Sequence, residues 1–162
     1  MHPNKILIAL MLFATQFANA DEFAEYPVSA PRISKPAEVK LDTDRGRLYG
    51  TLLAQQAELG ANFNGRFRAI HWGCGTNCAK WAVINLKTGD IWLAPDGLAS
   101  CTPQGQSEIE PPDWLEMRVD SRLLYVYSCS DFPYSAHVWN QRQVYVWSDD
   151  VPELIRTENW PK

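Results

Sequence analysis

The stretch from Asn62 to Trp92, NFNGRFRAIHWGCGTNCAKWAVINLKTGDIW, decides the fold. Its Phe, Ile, Val and Trp residues suit a pleated, half-buried surface, and its glycines supply backbone angles that other residues resist. Two strand-like runs flank the turn Gly73-Cys74-Gly75-Thr76-Asn77-Cys78, and a second turn follows at Lys87-Thr88-Gly89. The pattern predicts an antiparallel meander of Arg66 to Trp72, Ala79 to Leu86 and Asp90 to Ala94, with a cysteine pair gripping its first turn. In the middle run, Ala79, Trp81, Val83 and Asn85 alternate with Lys80, Ala82, Ile84 and Leu86. Both faces are therefore apolar, which marks a central strand.

Toward the C-terminus, Pro95 to Pro112 reads as a loop containing Cys101, Gly97, Pro103, Gly105 and the Pro111-Pro112 pair. Loops of this length are uncommon in compact domains; they serve function or need a crosslink to hold them. Strand patterning resumes in Trp114 to Val119, Arg122 to Ser128, Tyr134 to Trp139 and Gln143 to Trp147, with Asn140-Gln141-Arg142 as a hairpin link. Leu154 and Ile155 suggest a last edge strand, covered by Trp160. On the N-terminal side, Asp42 or Thr43 can cap a helix with Leu48, Tyr49, Leu52, Leu53, Ala57 and Leu59 on one face and Gly60 ending it. Residues 21–40, punctuated by Pro27, Pro31 and Pro36, read as an extended lead-in whose Phe23 and Tyr26 can tuck into a groove on the body. The expected fold is mainly β: an antiparallel meander, as a curled sheet or small barrel, with one N-terminal helix. Residues 41–162 form its single disulfide-stapled domain.

Residues 1–20 read as a leader rather than as structure. His2 and Lys5 precede the apolar run Ile6 to Phe17, and Ala18-Asn19-Ala20 fits a small-x-small cleavage site. The run is too short to span a bilayer, which takes about 20 apolar residues. Cleavage leaves 142 residues beginning at Asp21, with no membrane span. It removes one Lys and no acidic residue from totals of 15 Lys+Arg and 19 Asp+Glu, so the mature net charge is −5 with His neutral. That balance argues against a nucleic-acid partner, which needs cationic contacts to phosphate. The expected location is the bacterial periplasm or the exterior.

All four cysteines lie in the exported part, and an even count in an oxidising compartment implies two disulfides. Three connectivities are open. Cys74–Cys78 with Cys101–Cys129 is preferred, because strands paired across a tight turn bring Cys74 and Cys78 to bridging distance.

The segments Asn62-Phe63-Asn64-Gly65, Trp72-Gly73-Cys74-Gly75-Thr76-Asn77-Cys78 and Lys87-Thr88-Gly89 resemble a family of small uncharacterised secreted bacterial proteins with an NFxG, WGCGTxC and TG core. Asp120-Ser121-Arg122-Leu123-Leu124 is similar to that family's second patch. Asn85 departs from the pattern, which has an acidic residue before the turn. The resemblance implies fold and compartment and carries no chemistry.

Three groups of residues could act. Cys74 and Cys78 are spaced by three residues between strands, unlike the Cys-x-x-Cys of redox exchangers at a helix N-terminus, so they read as structural. His71 with Cys74 and Cys78 could in principle hold copper or zinc or serve an envelope enzyme, but thiols in an oxidising compartment pair with each other; no metal and no cofactor is expected. Neither a GxGxxG nor a nucleophile-elbow pattern occurs, and only His71 and His137 remain as imidazole bases after cleavage. The seven tryptophans are the compositional oddity. Trp72, Trp81, Tyr134, Trp139 and Trp147 are candidates for a binding surface, since aromatic rings give large, rigid contact area; the competing use is core packing. The sequence thus points to a non-enzymatic binding module for a protein or cell-wall glycan, of inhibitor or immunity type in one version.

Overall fold

The computed structural model describes residues 21–28, 31–75, 78–95, 98–99 (backbone alone), 113–128 and 141–160. Residues 1–20, expected to be a leader, most of the Pro95–Pro112 loop, Cys101, Cys129 and the Tyr134–Trp139 run lie outside the described residues.

Two four-stranded antiparallel sheets form the body, and neither closes into a barrel. The first contains β1 (Phe67–Gly75), β2 (Cys78–Asn85), β3 (Ile91–Leu93) and β4 (Leu98–Ala99). As expected, β2 is central: it pairs with β1 from Phe67↔Asn85 to Gly73↔Ala79, and on its other edge with β3 and β4. The long loop is therefore interrupted by a short strand. The second sheet runs in order β5 (Leu115–Met117), β6 (Leu123–Ser128), β7 (Gln141–Ser148) and β8 (Val151–Asn159). Gln141 and Arg142 belong to β7, opposite Ser128 and Tyr127, rather than to a hairpin link. The final edge strand extends well beyond Leu154 and Ile155. Its Pro152 and a register shift opposite Val144/Tyr145 make it a poor template for further pairing.

Period-2 alternation distributes the apolar residues into three layers. Between the sheets lie Phe67, Ala69, Trp81 and Val83 from the first and Leu124, Val126 and Trp147 from the second. The opposite face of the first sheet presents Ile70, Ala82 and Ile84 to Leu53 and Ala57 of the helical segment. The outer face of the second presents Leu123, Tyr125, Tyr127, Val144 and Val146 to Phe23 of the lead-in.

The single expected helix is two: α1 (Asp44–Leu48), capped by Thr43 Oγ1 accepting from Gly46 N at 2.9 Å, and α2 (Gly50–Glu58). The break at Tyr49 rotates the predicted face apart, leaving Leu48 73% exposed while Leu53 is fully buried. At Gly50 a Cβ would lie 2.7 Å from Leu41 Cδ1, so the absence of a side chain lets the incoming chain pack against the break.

The lead-in is an integral layer. Residues 22–25 form a 3-10 turn, Pro27 bridges to Ser121, and Ser121 Oγ donates to the carbonyls of Phe23 and Tyr26 at 2.8 and 3.1 Å. Glu22 accepts from Tyr125 Oη at 2.7 Å and pairs with Arg156, which also reaches Glu158. Burial pushes the Glu22 carboxyl up, but Tyr125 and Arg156 outweigh it and hold the group below the usual carboxylate range. Burial, reinforced by Glu22, raises the Tyr125 phenol far above its ordinary value. Arg142 pairs with Glu158 and lies 4.2 Å from the Tyr125 ring centroid and 5.3 Å from that of Trp160. No helix among the described residues is long and apolar enough to cross a membrane.

Candidate functional site

At the end of the sandwich where β1 begins, four chain segments meet around an open cleft of about 370 Å³. The first is the turn Asn62–Arg66. The Asn62 side chain mimics a strand partner, accepting from Ala69 N at 2.8 Å and donating to Ala69 O at 2.9 Å. Phe63 is fully buried and meets Trp147 edge-on at 5.6 Å. The turn then requires left-handed backbone at Asn64 (φ 46°) and Gly65 (φ 67°), which Asn and Gly tolerate best. Asn64 N and Gly65 N donate to the carbonyls of Arg118 and Val119, at 3.2 and 2.7 Å. This joins the turn to the second segment, Arg118–Arg122.

Arg122 is fixed through its backbone from both sides: its N donates to Tyr26 O at 2.8 Å and its carbonyl accepts from Trp147 N at 2.9 Å. The lead-in supplies Pro27 and Val28 as the apolar wall, and the β7–β8 turn supplies Asp149. Trp147 forms the floor. Arg66 Nη2 donates to Asp149 O and Asp150 Oδ1, both at 2.9 Å. Asp150 Oδ1 also accepts from Asn85 Nδ2 at 2.9 Å. That contact explains why an amide stands at Asn85: a carboxylate there would face Asp150 with like charge and no proton to share.

The charges of the cleft are unevenly matched. Arg66 is compensated by Asp150, whereas the half-buried Arg122 guanidinium has neither ion pair nor hydrogen bond among the described residues. The exposed Asp149 carboxylate is likewise unpaired among them. The Trp147 indole N–H, in a side chain 1% exposed, also has no partner there. A smaller cavity of about 130 Å³, lined by Asn85, Trp92, Asp150 and Trp147, adjoins the same indole.

The opposite end of the first sheet carries the residues that the sequence singled out for chemistry. Cys74 and Cys78 form a disulfide with Cα atoms 5.1 Å apart, and Cys74 sits at the irregularity between Gly73 and Gly75. Their sulfurs bind each other and offer no thiolate. His71 turns to the inter-sheet side, where Nε2 lies 2.8 Å from Asp113 Oδ1 and the ring stacks on Trp114 at 6.0 Å. His71, Cys74 and Cys78 therefore do not converge on one point, and among the described residues no three His, Cys, Asp or Glu side chains are grouped as a metal set.

Of the aromatic candidates, Trp81 and Trp147 are core residues, 3% and 1% exposed, and neither presents a ring to solvent. Strand alternation points these rings between the two sheets, so both serve the competing use, core packing. Trp72 is half-buried, tilted against Tyr49 at 4.8 Å. Tyr134 and Trp139 lie outside the described residues. Sequence reasoning did not single out Arg66, Asn64 and Arg122 as a site. Their available signal was position, since each sits within or beside the turn-rich segments Asn62–Gly65 and Asp120–Leu124. Compared with protein-family models, curated proteins and solved structures, the chain finds no match in any of the three.

Proposed function

We propose that the chain is an exported, non-enzymatic binding module of the bacterial envelope that recognises a protein or a cell-wall glycan through the cleft of Asn64, Arg66, Arg122 and Asp149. The observation that carries this reading is the Arg122 guanidinium, unpaired among the described residues, in an open cleft whose backbone is fixed by four segments. A charged donor on a half-buried residue, with no partner among the described residues, is left available for an external one. The cleft's donors suit recognition rather than turnover: guanidinium holds its proton at every accessible pH, and an amide neither gives nor takes one. The Cys74–Cys78 disulfide is compatible with an oxidising compartment, and residues 1–20 have the pattern of an export leader. An inhibitor or immunity role, in which the module occupies an envelope-degrading enzyme, is one form of the same activity.

The test is retention. Mature protein immobilised through its C-terminus is exposed to envelope extract, and bound material is identified by mass spectrometry. The expected result is a defined protein or glycan retained by the wild type and lost with Arg122→Gln at an unchanged melting temperature. Absence of any retained component, or turnover of the retained one, would overturn the proposal. The same periplasmic preparation should show Asp21 as its N-terminus.

A further inference from the structure

We infer that the cleft is a carboxylate site for a peptide, with Arg122 as the anchoring residue; this rests on the binding-module reading above. Three features of the cleft select that chemistry. The first is charge. Arg66 is already engaged by Asp150 and by the Asp149 carbonyl, so among the described residues Arg122 is the one uncompensated cation lining the cleft, and the Asp149 carboxylate stands at its rim. That balance suits a single negative charge. A phosphate or sulfate would bring more charge toward Asp149, whereas a carboxylate matches the planar fork of one guanidinium in two parallel hydrogen bonds.

The second feature is the wall. Pro27 and Val28 form the apolar side of the cleft, and its aromatic floor, Trp147, is only 1% exposed. Sugar rings are commonly held by stacking on an open aromatic face, and the described residues provide none here. An aliphatic wall beside a cationic donor instead fits a small side chain next to a carboxylate. Asn64 on the same lining supplies an amide able to pair with a peptide group, and Asp149 can accept from a peptide N–H.

The third feature is size and rigidity. A volume of about 370 Å³ lies at the low end of small-ligand pockets, enough for the end of a chain or one acidic side chain with its neighbours. The walls are tied by the bonds from Asn64 N, Gly65 N, Arg122 N and Trp147 N, so they are in place before a ligand arrives.

The experiment uses the mature protein labelled with 15N and four probes: N-acetyl-alanyl-alanine, its C-terminal amide, glucuronate and inorganic phosphate. Backbone amides of Asn64, Arg122 and Asp149, with the indole N–H of Trp147, report occupancy. The free-acid peptide is expected to shift these resonances saturably, and the amide to bind about tenfold or more weaker, as loss of a charge-assisted pair requires. Arg122→Gln should lose the same factor, and Arg122→Lys should recover part of it, each with the wild-type melting temperature. Equal binding of acid and amide, tighter binding of glucuronate or phosphate, or no shift with the free-acid peptide at tens of millimolar overturns the inference. An envelope component retained equally by wild type and Arg122→Gln would overturn it together with the choice of this cleft, and would leave only a binding module that uses another surface. Failure to retain any component defeats the module reading itself.

Discussion

Gly89→Ala is expected to detach the lead-in from the first sheet, and Gly60→Ala provides its internal control. Both glycines hold left-handed backbone, φ 79° at Gly89 and 77° at Gly60. Alanine in that region costs about 1–2 kcal/mol at either position, reduced by about 0.4–1 kcal/mol because alanine also restricts the unfolded chain. The surroundings differ. A Cβ at Gly60 meets nothing within 4 Å, whereas at Gly89 it would lie 1.9 Å from Glu38 O and 3.0 Å from Glu38 C. Backbone cannot rotate out of the way like a flexible side chain, so the 37–40 segment must move. That breaks the bonds from Lys40 N to Gly89 O and from Ala37 N to Leu86 O, both 2.8 Å. At about 0.5–1.5 kcal/mol each, these add roughly 2 kcal/mol. The predicted losses are therefore about 1 kcal/mol for Gly60→Ala and about 3 kcal/mol for Gly89→Ala. Urea melts with an unchanged m-value measure both, and tryptic cleavage after Lys40 should accelerate only in Gly89→Ala. Equal losses, or protected cleavage in both, would refute the close approach of Glu38 to Gly89.

Glu22→Gln should flatten the acid limb of stability: the folded-state carboxyl is held down, so its contribution is complete above the unfolded value of about pH 4.3 and disappears as pH falls through the lower folded value. At neutral pH the substitution should cost about 1 kcal/mol, read from chemical melts, and an unchanged pH profile would show that the Arg156 and Tyr125 contacts do not form. Replacing Cys74 and Cys78 together by Ala should cost about 2 kcal/mol in the chain-entropy account of so short a loop, and replacing Cys101 and Cys129 about 1–2 kcal/mol more; urea melts that reverse the order would reject it. His71→Gln keeps a hydrogen-bond donor toward Asp113, so melting temperature and ligand retention should stay as in the wild type, with no metal in either protein by mass spectrometry. Loss of retention without loss of stability would move the functional site to that end of the sheet.

The local part of this fold was legible because a strand announces itself within a few residues. Trp81 and Val83 against Ala82 and Ile84 gave the two apolar faces of β2, and the structure buries both, with Phe67 and Ala69 of β1 joining one and Ile70 the other. What covers each face was not legible, since that depends on contacts far apart in the chain. Trp147 could equally have lined a surface or a core until the first sheet, bearing Trp92, was placed across from it at 5.6 Å. The helix break at Tyr49 was hidden for a related reason: Gly50 is a minor propensity cost in isolation and a packing requirement once Leu41 lies against it. The strongest hint of the cleft lay in turn chemistry at Asn64-Gly65, but Arg66 and Arg122, 56 residues apart, become neighbours only through the bonds to Arg118 and Val119.

The two ends of the sandwich are consequently built for different work. Where β1 meets β2, Cys74 and Cys78 are taken up by each other and His71 by Asp113. Where β1 begins, the backbone N–H groups of Val28, Asn64, Arg66, Arg122 and Trp147 are committed, while one guanidinium and one carboxylate on the cleft's lining have no partner among the described residues. A rigid rim with free charged tips lowers the entropy lost on binding to that of the tips themselves, chiefly the flexible Arg122 side chain. A single carboxylate held this way yields weak affinity on its own, because one charge-assisted pair is worth only about 1.5–3 kcal/mol. Tight recognition then requires the rest of a partner to lie on surface outside the cleft, so a partner should bind far more tightly than the dipeptide acid, with Arg122→Gln weakening both by about the same factor.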